Sequence, residues 1–305
     1  MKIVSLLPSA TEIVYALGLG DDLLAVTDEC DYPEDATKKP VVSRSALPSG
    51  RPLSAREIDD VVRERMDQQQ PLYLLDRALI QRIQPDVILA QDLCRVCAVP
   101  SGDVQEALAD LGIEAEVLSL DPNTLDEVIE SVAVVGRALG REERAQEVAA
   151  GLRARVEAVR RTALRLPSIR VLALEWSDPP FSGGHWVPDM VEIAGGTNLL
   201  SAKGEPSRTV TWRQIADATP EVVVFMPCGY YLEEAEDEAA RLYANPDFAA
   251  TPAAREGGVF AVDASSYFSR PGPRIVDGLE ILAWAIHPDA YPDPPSGSIS
   301  RIVRR

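Results

Sequence analysis

The chain has 305 residues, of which 46% are hydrophobic and 26% charged, and this composition is typical of a folded globular protein. Its 48 acidic and 30 basic side chains give a formal net charge of −18, which repels the phosphates of nucleic acids and anionic lipids. Nucleic acid is therefore excluded as a partner, and the absence of any apolar run of about 18 residues excludes membrane insertion.

The first part of the chain alternates short apolar runs with amphipathic stretches. The runs predict strands at residues 3–7, 23–27, 87–91 and 117–120, and the stretches predict helices at 54–70, 76–84 and 101–111. Ser9 and Glu12 stand three residues apart after the first run, as in a capping box. Apolar strands that alternate with helices indicate a parallel sheet covered on both faces, so residues 1–123 are expected to form a doubly wound α/β lobe.

A long helical segment is expected between two lobes. Residues 124–166 are rich in Ala, Leu, Val, Glu and Arg, and their apolar side chains recur at helical spacing. The segment contains no proline, and Gly140 marks a point where the helix would kink. The sequence therefore predicts a long connecting helix.

The alternation of strands and helices resumes after Pro167. Strands are predicted at residues 169–176, 222–227 and 259–263, and helices at 187–195, 231–244 and 273–287. Residues 167–288 are therefore expected to form a second α/β lobe. The proline-rich segment at 289–305 is expected to be a loosely ordered tail.

The unusual residues of both halves follow predicted strands. Ligands bind beyond the carboxyl ends of strands in open α/β sheets, so these residues predict binding loops. The segments are 8–9, 28–33 and 92–97 in the first half, and 175–186, 228–231 and 265–272 in the second.

Several of these segments resemble a known family. The motifs are Pro8-Ser9-Ala10-Thr11-Glu12, Asp31-Tyr32-Pro33, Pro85-Asp86-Val87-Ile88, Pro179-Pro180-Phe181, Ala194-Gly195-Gly196 and Phe268-Ser269-Arg270-Pro271-Gly272-Pro273-Arg274. In their order and spacing they are similar to the vitamin B12-binding proteins of ABC importers. Those proteins have the helical-backbone, class III periplasmic-binding-protein fold, in which one long helix joins two lobes. The resemblance covers about residues 1–288.

The resemblance implies binding rather than catalysis. A cobalamin or related corrinoid is expected in the cleft between the lobes, with an ABC permease or a corrinoid-handling protein as partner. Aromatic side chains suit a flat macrocycle because they offer rigid apolar area. The expected ligand-binding residues are Ser9, Tyr32, Trp176, Phe181, His185, Trp186, Tyr230, Tyr267, Phe268 and Arg270. One or two of these aromatic side chains are expected to be core residues instead.

All four cysteines also follow predicted strands: Cys30, Cys94, Cys97 and Cys228. Thiolates of this kind bind zinc or an iron–sulfur cluster, or supply a soft ligand to cobalt, and neutral His185 is a further candidate ligand. A redox-active or disulfide pair and plain thiols near the ligand are the alternatives. The second hypothesis for function is accordingly a metal- or cluster-dependent enzyme or redox protein on the same fold.

The amino-terminal residues allow a prediction of the cellular location. Lys2 is followed by only five apolar or small residues before Pro8, which is shorter than the apolar region of a secretory signal. The chain as written is therefore expected to be cytoplasmic. A periplasmic or surface-anchored location is the alternative if the true start lies upstream.

Overall fold

Two α/β units make up the chain in the computed structural model, which describes residues 1–48, 53–93 and 99–304. The first unit comprises Met1–Pro122 and Ile129–Ala149, and the second comprises Asn123–Val128 and Ala150–Arg305. The predicted fold class, two α/β lobes, is confirmed. Across the described residues, no helix is both long and apolar enough to span a membrane.

A six-stranded sheet organises the first unit, in the order β4-β3-β2-β1-β5-β6. The strands are β1 (Ile3–Ser5), β2 (Leu23–Thr27), β3 (Val41–Ser45), β4 (Tyr73–Leu75), β5 (Val87–Ala90) and β6 (Glu116–Ser119). All neighbours pair in parallel except β3 and β4, so the sheet is mixed and not purely parallel. Strands β1 and β5 are fully buried, which explains their continuous apolar sequence.

Four helices accompany this sheet: α1 (Pro8–Ala16), α2 (Ala55–Asp67), α3 (Arg77–Ile83) and α4 (Ser101–Leu111). Helix α1 begins at Pro8, and Leu7 is its N-cap without a side-chain hydrogen bond. The capping box expected at Ser9 is therefore wrong. Proline favours the first helical position, which places Ser9 inside the first turn.

The predicted connector consists of two helices rather than one. They are α5 (Leu125–Ala138) and α6 (Glu142–Ala163), and each contributes residues to both units. Gly140 between them has a φ of +64°, a left-handed conformation that ends a helix. A Cβ on Gly136 would lie 2.3 Å from the Cβ of Ala145, so the two helices are in close contact at this turn. The glycines therefore allow a tight reversal instead of a mild kink.

A seven-stranded sheet organises the second unit. Its main order is β10-β8-β7-β11-β12-β13, and β9 also pairs with β7. The strands are β7 (Ile169–Ser177), β8 (Pro180–Ser182), β9 (Gly196–Asn198), β10 (Arg208–Thr209), β11 (Val222–Phe225), β12 (Val259–Val262) and β13 (Ile299–Arg301). The centre of this sheet is parallel, whereas β8, β10 and β13 pair antiparallel.

Helices cover this second sheet. They are α7 (Val187–Ile193), α8 (Trp212–Ala218), α9 (Leu232–Leu242), α10 (Pro246–Ala249), α11 (Pro252–Glu256), α12 (Ala264–Tyr267) and α13 (Ile275–Ile286). Buried side chains of β7, β11 and β12 pack with those of α9 and α10 in one apolar cluster, in which Phe225 and Phe248 are fully buried. This core fixes the positions at which the three central strands end.

The carboxyl-terminal segment is part of the second unit and not the loosely ordered tail that its prolines suggested. Strand β13 pairs with β12, and Ile302 is 7% exposed within the apolar cluster. The Tyr243 hydroxyl donates to the Ile302 carbonyl at 3.1 Å. Isoleucines at 299 and 302 thus provide burial that outweighs the loop-forming residues before them.

Deletion of residues 299–305 is expected to lower the thermal unfolding midpoint by about 5–10 °C, because it removes the β13 pairing and the burial of Ile302, worth about 2–3 kcal/mol. Deletion of 303–305 alone is the matched control, since Val303 and Arg304 are exposed. Circular dichroism melts of both proteins test this expectation. Equal midpoints for the two deletions would contradict it.

His287 is a buried ionisable group at the end of α13. Its side chain is 9% exposed, and its Nε2 lies 3.1 Å from where a Cβ on Gly195 would stand. Burial lowers the pKa of His287 below its ordinary value, because the charged imidazolium would lose its hydration. The neighbouring Gly195 backbone opposes this shift without cancelling it.

The lowered pKa of His287 makes the folded state acid-sensitive. Below about pH 6.5 the unfolded chain takes up a proton that the folded chain resists, so the free energy of unfolding falls as the pH falls. This stability is fully present above that pH, and its loss is complete once the pH is below the folded pKa. Chemical denaturation between pH 7.5 and 5 is expected to show the decline and a shallower one in His287→Gln. An unchanged slope in the variant would overturn the assignment to His287.

Candidate functional site

Loops at one edge of the second sheet carry most of the expected ligand-binding residues. Strands β7, β11 and β12 are adjacent and parallel, so their carboxyl ends lie at the same edge. Trp176 lies near the end of β7, Tyr230 follows β11, and Tyr267 and Arg270 follow β12. Phe181 on β8 is the antiparallel partner of Trp176. Loops that are far apart in the sequence thus lie at the same edge of the sheet.

Aromatic contacts hold this cluster together. The Trp176 and Tyr230 rings meet edge to face, with centroids 5.6 Å apart and planes at 72°. Both side chains and that of Phe181 are half-buried, so each keeps an accessible surface. Trp176, Tyr230 and Phe181 can therefore offer apolar area to a ligand.

Trp186 and Phe268 have a different place. They are 6% and 2% exposed, and the Trp186 Nε1 donates to the Phe268 carbonyl at 2.9 Å. This hydrogen bond joins the start of α7 to the turn after α12. The two side chains are core residues that fix the loops, which matches the expectation that some of the aromatic candidates are packing residues.

Glu175 positions the loop formed by residues 183–186, here named the histidine loop. Its half-buried carboxylate accepts a hydrogen bond from the Gly184 amide at 3.2 Å and another from the Ser207 hydroxyl. A Cβ on Gly184 would lie 2.2 Å from the Ser207 amide nitrogen, so only glycine fits there. One carboxylate thereby holds two chain segments together at the end of β7.

His185 lies at the centre of this loop in a left-handed conformation, with a φ of +52°. Its amide donates to the Glu205 carbonyl at 2.7 Å, and its carbonyl accepts from the Gly204 amide at 3.0 Å. Its Nδ1 is 3.4 Å from the Asn123 Oδ1. Burial lowers the pKa of the His185 imidazole, which is therefore neutral at neutral pH.

Two arginines lie in the segment that follows β12. The Arg274 guanidinium lies over the Tyr267 ring, 5.8 Å from its centroid. Arg270 is half-buried in the turn between them, where the Gly272 amide donates to its carbonyl at 2.8 Å. The site thus combines aromatic rings, a neutral imidazole and two guanidinium groups.

The first unit contains the remaining expected ligand-binding residues. Ser9 is 3% exposed within α1 and offers little surface, whereas Tyr32 is 48% exposed in the loop after β2. Cys30 is buried in that loop, with its Sγ 3.1 Å from the Thr11 Oγ1. Cys30 also lines a small hollow of about 160 Å³ together with Asp28.

The predicted metal set is not assembled among the described residues. Cys94 and Cys97 lie outside them, Cys30 is buried in the first unit, and Cys228 is exposed in the second. Within the described ranges, no group of three or more His, Cys, Asp or Glu side chains is arranged to hold a metal ion. The thiol of Cys228 is free.

Some residues of the site have no local sequence signal. Ser207 is 32 positions from Glu175 in the chain, and Asn123 is 62 positions from His185. Only the Gly183-Gly184 pair before His185 indicates a backbone that must approach something closely. The partner segments themselves are brought there by the fold.

The chain is similar to curated proteins of ABC transporters over most of its length. It is 24% identical over 95% of its length, and over 81% of the relative's, to an uncharacterised ABC transporter substrate-binding lipoprotein of Bacillus subtilis. It is 25% identical over 92% of its length, and over 86% of the relative's, to the vitamin B12-binding protein of Vibrio cholerae.

Solved structures show the same fold. The periplasmic vitamin B12-binding protein of Vibrio cholerae matches with a TM-score of 0.68 and 24% identity, over 93% of this chain and 96% of that one. A periplasmic haem-binding protein of Pseudomonas aeruginosa matches with a TM-score of 0.74 and 21% identity, over 100% of this chain and 98% of that one.

These relatives correct one expectation. The predicted cytoplasmic location is wrong, because the relatives are a lipoprotein and periplasmic proteins, which points to an extracytoplasmic location. The relatives are solute-binding proteins rather than enzymes, so they give no support to the alternative of a metal- or cluster-dependent enzyme.

The family model for periplasmic binding proteins matches residues 3–265, which is most of the chain. The match includes the first sheet, the second sheet except β13, and the histidine loop, and the two α/β units have the architecture of the class III members. The chain therefore belongs to the periplasmic binding protein family and is a substrate-binding protein.

Proposed function

We propose that this substrate-binding protein binds a corrinoid of the cobalamin type and delivers it to an ABC permease. The proposal is supported by curated relatives from Vibrio cholerae and Yersinia pestis that are named vitamin B12-binding proteins, at 25% and 28% identity. Membership of the family implies a small-molecule ligand and a permease partner.

The observation that carries the proposal is the half-buried aromatic group at the end of β7. Trp176 contacts Tyr230 edge to face and pairs with Phe181 across the hairpin. Rings held in this way lose little side-chain entropy when a ligand packs on them. A flat macrocycle of large apolar area gains most from such a surface, because each ring covers many of its atoms at once.

The charges of these loops support the same ligand class. Arg270 and Arg274 lie in the segment that follows β12, with Arg274 over the Tyr267 ring, and cobalamin carries a phosphate at its periphery. The Glu175 carboxylate is engaged by the Gly184 amide and the Ser207 hydroxyl, so its negative charge is partly compensated. The loops thus combine an apolar platform with cationic side chains.

Purified protein is expected to retain cyanocobalamin on gel filtration, and Trp176→Ala is expected to weaken binding by about 10- to 100-fold. The reason is the loss of one ring contact worth about 1.5–3 kcal/mol. Calorimetric titration measures the affinity directly. Haemin, also a flat metal macrocycle, is titrated in parallel to distinguish the two ligands.

Trp212→Ala is the matched control for Trp176. Trp212 is also half-buried and also meets a ring edge to face, that of Phe248 at 6.0 Å, but it packs on the core cluster. Its replacement is expected to lower stability and leave the corrinoid affinity within about threefold. Failure of the wild type to retain cyanocobalamin would refute the proposal, and tight binding of haemin alone would replace it with haem transport.

A further inference from the structure

The backbone of His185 is held in a conformation that a histidine rarely adopts. A positive φ costs free energy for a residue with a Cβ, and this cost is met here by hydrogen bonds on both sides of the residue, to Glu205 and from Gly204. The Glu175 carboxylate fixes the preceding Gly184 as well. These hydrogen bonds fix the position of the His185 side chain.

The imidazole is also oriented. Its ring lies beside Trp186, with centroids 5.7 Å apart, and its Nδ1 faces the Asn123 Oδ1 at 3.4 Å. An amide oxygen only accepts hydrogen bonds, so this contact places the proton of the neutral ring on Nδ1. The Nε2 then carries the lone pair, and the side-chain hydrogen bond found for His185 among the described residues is the one at its Nδ1.

We propose that the Nε2 of His185 is an axial ligand to the central metal of the bound macrocycle. This inference rests on the proposed function, because it requires a metal-centred ligand. Histidines that bind metals usually donate their other ring N–H to a fixed acceptor, which is the arrangement of His185 and Asn123. Imidazole nitrogen is a good ligand to the transition metals of such macrocycles.

The bond forms by ligand exchange without redox chemistry. In aquocobalamin a water molecule occupies one axial position of cobalt. The Nε2 lone pair forms the cobalt–nitrogen bond, and the water leaves with the electron pair that it had supplied. The metal keeps its oxidation state, and no proton moves, because His185 is already neutral.

The absorption spectrum of aquocobalamin bound to the full chain tests this inference. The bands are expected to shift on binding to the wild type, because an axial nitrogen replaces water. Cyanocobalamin, whose axial positions are already filled by cyanide and its own base, is expected to bind without a comparable shift. His185→Asn is the variant of choice, since asparagine tolerates positive φ and preserves the loop. It is expected to retain both corrinoids, to lose the shift, and to lose more affinity for aquocobalamin than for cyanocobalamin.

Cys228→Ser is the matched control, because this exposed thiol is the competing soft ligand in the same unit. Its spectrum is expected to shift like that of the wild type. Bound aquocobalamin with unchanged bands, the same shift in His185→Asn, or a shift lost only in Cys228→Ser would each overturn the assignment to His185. If the wild type retains neither corrinoid, the proposed function fails, and the inference fails with it.

Discussion

The carboxylate of Glu175 is the constraint on which the candidate site depends. It stands near the end of β7 and accepts hydrogen bonds from Gly184 and Ser207, two segments that the pairing of β8 with β10 and the backbone hydrogen bonds of His185 also join. Hydrogen bonds to a charged acceptor are stronger than neutral ones, and partial burial protects them from water. These hydrogen bonds stabilise the conformation of the histidine loop, which includes the positive φ of His185.

The side chains of these loops differ from the acidic character of the protein as a whole. A net charge of −18 gives the protein an acidic surface. The loops at the ends of β7, β11 and β12 also present aromatic rings, a neutral imidazole and two guanidinium groups, and the half-buried carboxylates of Glu175 and Asp263 are hydrogen-bonded. The proposed corrinoid, an apolar macrocycle with a phosphate at its edge, is compatible with this combination of side chains.

In two parts of the chain, local sequence patterns predicted a structure that differs from the observed one. Residues 124–166 have uninterrupted helical periodicity, yet Gly140 turns the chain and Gly136 lets α6 pack against α5. The prolines at 292–295 do interrupt regular structure, but Ile302 returns the chain to the core. In both cases the observed structure depends on a contact between residues that are not neighbours in the sequence. The periodicity or composition of a short segment gives no information about such a contact.

The sequence by itself determined the two α/β units and most of their central strands and helices, and it predicted the loops of the candidate site. Strand β2 and helix α4 were predicted with their observed bounds, since a buried strand and an amphipathic helix each leave a pattern within a few residues. The motifs around Phe181 and Arg270 also indicated the family. Only the tertiary structure decided that Trp186 and Phe268 are packing residues and that Ser207 and Asn123 support the histidine loop. Burial and hydrogen bonding of this kind depend on pairs of residues separated by 32 to 82 positions, and such pairs are set by the folded core rather than by any local pattern.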